Sequence, residues 1–230
     1  MRELPTWEYL AKKMIWQQLG KIENKKILDF GSGEGVTASY YAKNNDVIAI
    51  EPSEEAVENR EKENQYIQLL GSTDKLMEIQ DESFDIILCH NVFEYAEDRE
   101  NILKEFRRLL KPSGYISILK HNRSGRVMQM VVLLNNFENA NRLLDGKNSN
   151  AVKYGAIKYY EDSDLTKWCP KLQIKKVYGA RTFWDLQQNQ DIQKDAKWQE
   201  EMLQIESRVA DIKEYQEIAF FHHVIMKKAL

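Results

Sequence analysis

The sequence has only two cysteines in 230 residues, Cys89 inside an apolar run and Cys169 just before a proline, which excludes a disulfide framework. No apolar run reaches the ~20 residues that span a bilayer, so no membrane partner is expected. Met1-Arg2-Glu3-Leu4-Pro5 lacks the basic-then-apolar layout of a secretory signal. No internal repeat or low-complexity tract interrupts the chain, and no metal site is expected. These absences lead to the expectation of a cytoplasmic protein, either a monomer or a homodimer.

What is present fits one globular unit. Hydrophobic residues make up 43% and charged residues 30%, ordinary for a chain with a packed core. The length suits one domain with an insertion better than two independent domains. Net charge is −3, yet 16 Lys/Arg face 6 Asp/Glu between Lys104 and Arg181, against 17 and 30 elsewhere. Such asymmetry marks either an electropositive surface aimed at an anionic partner or a scattered, solvated face.

Short β-rich runs alternate with helical patterns through the first half, which predicts βαβ units and a parallel sheet. An amphipathic helix is predicted over 4–19, with strands at Lys26–Phe30, Val47–Ile50, Tyr66–Leu70 and Phe84–His90. Ser53 reads as a helix cap, and a further helix is predicted from Asp98 to Leu110. Lys111-Pro112-Ser113-Gly114 reads as a turn into a fifth strand, Tyr115–Lys120. Beyond it come one helix over about 125–144, a polar linker at Gly146–Asn150, a helix at 162–168, a strand at 172–179, a charged helix over 190–214 and a last strand at 218–227. The loops after the parallel strands gather at one sheet edge, where open α/β folds bind ligands.

The most informative stretch is Asp29-Phe30-Gly31-Ser32-Gly33-Glu34-Gly35, where a strand runs into a glycine-rich turn that opens a helix. Glycines there admit positive φ and let backbone amides approach a ligand. Dinucleotide folds use G-x-G-x-x-G, whereas here the spacing is D-x-G-x-G-x-G. Glu51, followed by Pro52, ends the second strand, where a carboxylate can accept from both ribose hydroxyls of an adenosine ligand and would repel a 2′-phosphate. Gln80-Asp81-Glu82-Ser83-Phe84-Asp85 then leads through the buried strand to Asn91-Val92-Phe93-Glu94, a helix, and Leu110-Lys111-Pro112-Ser113-Gly114-Tyr115.

In this order these segments resemble the class I S-adenosylmethionine-dependent methyltransferases. The resemblance implies a Rossmann-like, seven-stranded, mostly parallel α/β sheet with helices on both faces, an antiparallel last strand and a helical insertion after the fifth strand. It implies a single methyltransferase domain: an N-terminal helical cap (1–24), a cofactor-binding core (25–121), an insertion or lid (122–160), and a C-terminal part with an acceptor-side helix (161–230). S-adenosylmethionine would meet Asp29, Gly31, Ser32, Gly33, Gly35, Glu51, Pro52, Ser72, Thr73, Asp74, His90 and Asn91. Asp29 has a rival reading as an anchor for the turn's amides.

Further segments resemble the SmtA-type subgroup, whose members include a tRNA methyltransferase that esterifies 5-carboxymethoxyuridine at the wobble position. They are Met14-Ile15-Trp16-Gln17-Gln18-Leu19, Asn122-x-x-Gly125-x-x-Met128, Gly179-Ala180-Arg181-Thr182-Phe183-x-Asp185, the Glu206 helix, and Ala219–Met226. The chain departs from the subgroup in its opening helix. An arginine that grips the cofactor's carboxylate there is replaced by Ala11, with Lys12 and Lys13 adjacent; lysine supplies a point charge without the arginine fork.

Methyl transfer from a sulfonium is an in-line displacement, so the protein chiefly aligns the reacting groups. The sequence has no Asn/Asp-Pro-Pro-aromatic motif for an exocyclic amine and no Pro-Cys nucleophile loop for a pyrimidine carbon, which leaves an oxygen acceptor. A carboxylate acceptor, ionised at neutral pH, needs no base. A hydroxyl would call on His90, His121 or Glu94. His90, His121 and Arg123 are the catalytic candidates, with Asn122, Arg126 and Arg181 also on the acceptor side. Tyr154, Tyr159 and Tyr160 are either base-stacking or packing residues, and Trp16 and Met14 read as core. Three functions stay open: methylation of a tRNA wobble uridine, methylation of a small molecule, and a non-catalytic adenosyl-ligand module.

Overall fold

The computed structural model describes residues 5–151 and 155–229. The chain opens with α1 (Thr6–Leu19), then alternates β1 (Lys26–Phe30), α2 (Val36–Ala42), β2 (Asp46–Glu51), α3 (Glu54–Glu58), β3 (Ile67–Leu70), α4 (Thr73–Met77), β4 (Phe84–His90), α5 (Arg99–Leu109) and β5 (Leu110–His121). The second half adds α6 (Arg123–Val132), α7 (Phe137–Leu144), a hairpin of β6 (Ser149–Ala151) and β7 (Gly155–Ile157), α8 (Asp162–Trp168), β8 (Leu172–Ala180), α9 (Ala196–Val209) and β9 (Phe221–Lys228). The main sheet has seven strands in the order β3-β2-β1-β4-β5-β9-β8. The first five pair in parallel, and β9 runs antiparallel to both β5 and β8.

The period-two alternation of strand side chains separates two cores. Leu28, Ile87, Cys89, Ile116 and Ile118 pack on one face with Leu103 and Phe106 of α5 and Leu165 of α8. Ile27, Val47, Ala49, Ile86 and Leu88 point the other way, onto Val36, Ala38 and Tyr41 of α2 and Trp16 of α1. Trp16 also stacks flat on Tyr40, with ring centroids 3.7 Å apart. Trp16 and Met14 are buried, as their helical spacing predicts.

Three expectations are corrected. Lys111–Gly114 forms no separate turn: β5 starts at Leu110, and the register with β4 jumps from Phe84↔Leu110 to Ile86↔Tyr115, so these residues bulge within the strand. Lys111 Nζ bonds Asp85 Oδ2 across the bulge at 2.8 Å. The helix expected over 125–144 is two helices, because Asn135 adopts φ 47° and Asn136 caps α7 through the amide of Asn139. The charged helix over 190–214 likewise breaks, since Asp195 accepts from the amide of Trp198 at 2.7 Å and restarts the chain as α9. Leu4, the expected start of the opening helix, and Tyr154 lie outside the described residues. Among the described residues no helix is long and apolar enough to cross a membrane.

Candidate active site

The glycine turn is fastened to the end of β2. Gly31 and Ser32 donate to the carbonyl of Ile50 at 2.8 and 3.1 Å. Glu51 Oε2 accepts from the amide of Gly33 at 2.8 Å, and Oε1 from the amide of Ser53 at 3.0 Å. The three glycines differ in purpose. A Cβ on Gly31 would overlap Val92, and one on Gly35 would overlap Tyr66 Oη, whereas one on Gly33 (φ 55°) would meet nothing within 4 Å. Gly31 and Gly35 are therefore packing glycines, and Gly33 alone faces open space.

Around this opening lie buried polar atoms without hydrogen-bond partners among the described residues: Asp29 Oδ2, Ser32 Oγ and Asn91 Oδ1. Unpaired buried groups are costly, so their grouping at the strand ends marks a ligand-shaped set of demands. Burial pushes the Asp29 carboxyl up to about 7, against the pull of Lys12 and with the push of Glu51. Lys12 also helps hold the His90 ring down, so it is the lysine that reaches this mouth. Lys13 instead lies over the ring of Tyr9 at 4.5 Å.

Neighbouring strand ends bring the other expected residues alongside. The amide of Gly71 donates to Glu51 O at 3.0 Å, which sets Ser72, Thr73 and Asp74 beside the acid. Asp74 Oδ1 accepts from the amide of Ser72 at 2.7 Å, a bond that holds its carboxyl below the usual range. Pro52 lies between Glu51 and the Ser53 cap. His90 ends β4, and Asn91 turns away with φ 57° while its amide donates to Leu119 O at 2.8 Å.

At the end of β5 a second group forms around His121. Its ring contacts Phe220 and Phe221, with centroids 5.5 and 4.9 Å away. The guanidiniums of Arg126 and Arg181 lie over Phe220, at 5.7 and 4.5 Å from its centroid. Arg126 Nε, Arg181 Nε and His121 Nδ1 are all buried without partners among the described residues. Arg181 pairs with Asp185, whereas the side-chain partner of Arg126 is the neutral amide of Gln129. Burial, reinforced by Arg126, Arg181 and Lys120, drives the His121 ring down to about 3. Such a ring binds a proton too weakly to act as a general base near neutral pH.

Two residues expected here are engaged elsewhere. Arg123 donates to Leu143 O and Lys147 O at 3.1 and 2.7 Å, which ties α6 to the end of α7, and its guanidinium lies over the Tyr159 ring, which separates it from His121. Asn122 caps α6 and donates to Glu217 O and Ala219 O, both at 2.9 Å. Tyr160 is buried among Phe93 and Trp168 as a packing residue, and Tyr159 bonds Ser149 Oγ at 2.9 Å.

Sequence reasoning missed the device that shapes the Arg181 turn. Glu206 is buried and accepts three successive amides, Thr182 and Phe183 at 2.8 Å and Trp184 at 3.1 Å. Arg181 itself holds φ 61°, uncommon for a side chain of its size. The excess of basic residues over 104–181 is also less bare than the sequence implies. Lys104, Arg108, Lys111, Lys158, Lys167 and Lys176 each sit within 4.0 Å of a carboxylate.

Residues 28–118, from β1 into β5, match the family described as a methyltransferase domain. Over 239 aligned residues the chain is 24% identical to the tRNA 5-carboxymethoxyuridine methyltransferase of Escherichia coli K12, covering 95% of this chain and 88% of that protein. It is 29% identical over 129 residues to a ubiquinone biosynthesis O-methyltransferase of Histophilus somni, covering 52% of this chain and 54% of that one. In fold it is similar to a putative S-adenosylmethionine dependent methyltransferase from Listeria monocytogenes, with TM-score 0.61, 16% identity, and coverage of 98% and 97% of the two chains.

Proposed function

We propose, from the match of residues 28–118 to a methyltransferase domain, that the chain methylates an oxygen of an anionic acceptor, a carboxylate on a modified wobble uridine of tRNA. The observation that carries this reading is Arg126: a partly buried guanidinium with a sealed, unpartnered Nε and no carboxylate bonded to it among the described residues. A buried cation in that state calls for an anion.

S-adenosylmethionine supplies the electrophilic methyl group when bound. Its demands fit the residues at hand: Gly33 leaves open space beside its Cα, Glu51 keeps lone pairs for a diol besides those that accept the Gly33 and Ser53 amides, and Ser32, Asn91 and Asp29 hold unsatisfied atoms. Lys12 offers a positive charge for a carboxylate at the same mouth. His121, Arg126 and Arg181 draw the acceptor's carboxylate to the end of β5 and hold it there without water. An acceptor already ionised needs no base, which agrees with a His121 ring held near 3.

A second reading, O-methylation of a small hydroxylated molecule, draws on Glu94. Burial raises its carboxyl to about 7, and Oε2 has no partner among the described residues while Oε1 accepts from the amide of His121 at 2.5 Å. An acid so tuned is suited to take a hydroxyl proton.

The test supplies methyl-labelled S-adenosylmethionine with bulk tRNA or with a small-molecule extract. Label carried by tRNA nucleosides and released by mild alkali, as an ester releases methanol, is the expected result. Alkali-stable label confined to small molecules overturns the tRNA reading, and label in neither pool overturns methyl transfer.

A further inference from the structure

A hydrogen-bond path runs from α1 through the sheet to the end of β4. Gln18 Nε2 donates to Gly179 O at 2.8 Å, and Gln18 Oε1 meets His223 Nδ1 at 2.7 Å. His223 Nε2 meets Ser117 Oγ at 2.7 Å, and Ser117 Oγ meets His90 Nε2 at 2.8 Å. Ser117 and His223 are wholly buried, so no solvent intervenes in the middle of the path.

One carbonyl decides where every proton sits. Gly179 O only accepts, so it holds the Gln18 amide with its NH2 toward β8 and its oxygen toward His223. That oxygen requires a proton on His223 Nδ1, which leaves Nε2 bare. The Ser117 hydroxyl then donates to His223 Nε2 and accepts from His90 Nε2–H. The last lone pair falls on His90 Nδ1, which has no hydrogen-bond partner among the described residues. Both rings are neutral in this pattern. Burial holds the His223 ring down to about 3, and burial together with His223 and Lys12 holds His90 well below its ordinary value.

We propose that Gln18, His223 and Ser117 are positioning residues that fix His90 as its Nε2–H tautomer, so that its bare Nδ1 offers a hydrogen-bond acceptor at the end of β4. The site is then polar in a directed sense. An N–H or O–H group is received at the end of β4, and an anion is received by Arg126 and Arg181 at the end of β5. A carboxylate acceptor would be turned toward the guanidiniums and away from His90. This orientation rests on the methyltransferase reading; the tautomer does not.

The experiment records long-range proton–nitrogen correlation spectra of the ligand-free, full chain labelled with 15N-histidine, its four histidines assigned by single substitution. His90 is expected to show a protonated Nε2 and a bare Nδ1, and His223 the reverse. S117A should leave His90 exchanging between tautomers, and Q18M, which removes the acceptor facing His223 Nδ1, should leave His223 exchanging as well. A His90 protonated at Nδ1 or averaged in the wild-type chain overturns the proposal, as does an unchanged His90 in S117A. If S117A does not fold, the wild-type and Q18M spectra decide. S117A should lower kcat about five- to tenfold, the scale of one hydrogen bond. An unchanged kcat with a shifted tautomer overturns the positioning role. Calorimetry with S-adenosylhomocysteine is read separately, so failure of cofactor binding counts against the methyltransferase reading and leaves the tautomer result standing.

Discussion

The carboxylate of Glu51 accepts the amide of Gly33 at 2.8 Å, so the acid at the end of β2 is also the brace of the glycine turn. The residue expected to grip a ribose and the glycine expected to admit the ligand are thus one mechanical unit.

Removing the acid should therefore act twice. Glu51→Ala frees the Gly33 and Ser53 amides and removes the candidate ribose acceptor, at a cost of roughly 1–3 kcal/mol in cofactor affinity. Calorimetry with S-adenosylhomocysteine should read a ten- to hundredfold weaker Kd. Unchanged affinity would separate Glu51 from the ligand.

The glycines should divide by consequence. Gly33→Val places its side chain in open space, with a backbone strain of about 1–2 kcal/mol at φ 55°. It should abolish cofactor binding while the chain stays folded. Gly31→Ala must displace Val92, so thermal stability should fall first. Equal effects of both on binding and on Tm would contradict the division.

Arg126 and Glu94 separate the two acceptor classes. Arg126→Gln should cut methyl transfer to a carboxylate at least tenfold and leave S-adenosylhomocysteine affinity within about twofold. Glu94→Gln should leave a carboxylate acceptor nearly unaffected but lower transfer to a hydroxyl about a hundredfold or more. Initial rates on both acceptor types with each variant check this.

The raised carboxyls set the sign of a stability change with pH. Asp29 and Glu94 titrate near 7 in the fold, and near 3.8 and 4.5 when unfolded. Between those values the folded chain holds more protons, so stability falls as pH rises and the loss continues until the folded groups ionise. From pH 6 to 8 each group should cost on the order of 1 kcal/mol. The histidines held near 3, His121 and His223, act in the opposite direction below about 6.5 and drop out above it. Denaturant unfolding of wild type and Asp29→Asn at pH 6 and 8 measures the difference; a wild-type slope that Asp29→Asn does not reduce would refute the assignment to Asp29.

The strands and the glycine turn were legible because their signals are local. Phe84–His90 is a continuous apolar run of the length a buried strand needs, and its bounds coincide with β4. The breaks at Asn135–Asn136 and Asp195 were not, because a capping residue inside a polar helical pattern looks like one more exposed side chain until its backbone turns. Arg123 and Arg126 are equally basic in sequence, and only the fold of α6 against α7 and Phe220 separates a brace between helices from a guanidinium lying over an aromatic ring. The path through Ser117 and His223 did leave a trace: a hydroxyl within Tyr115–Leu119 and an imidazole within Phe221–Met226 are polar atoms in apolar strands, and such atoms need partners. Which partners they find depends on β5 and β9 lying side by side, a long-range pairing that no local spacing encodes.

That pairing carries a kinetic consequence. β9 enters between β5 and β8 although it follows both in sequence, so β8 has no hydrogen-bonded neighbour in the main sheet until β9 arrives. The parallel strands can zip together in order of synthesis, while the C-terminal half waits for the final strand to slot home. An arrested or clipped chain lacking Phe221–Lys228 would keep the glycine turn, lose His223, and leave β8 a bare, aggregation-prone ribbon.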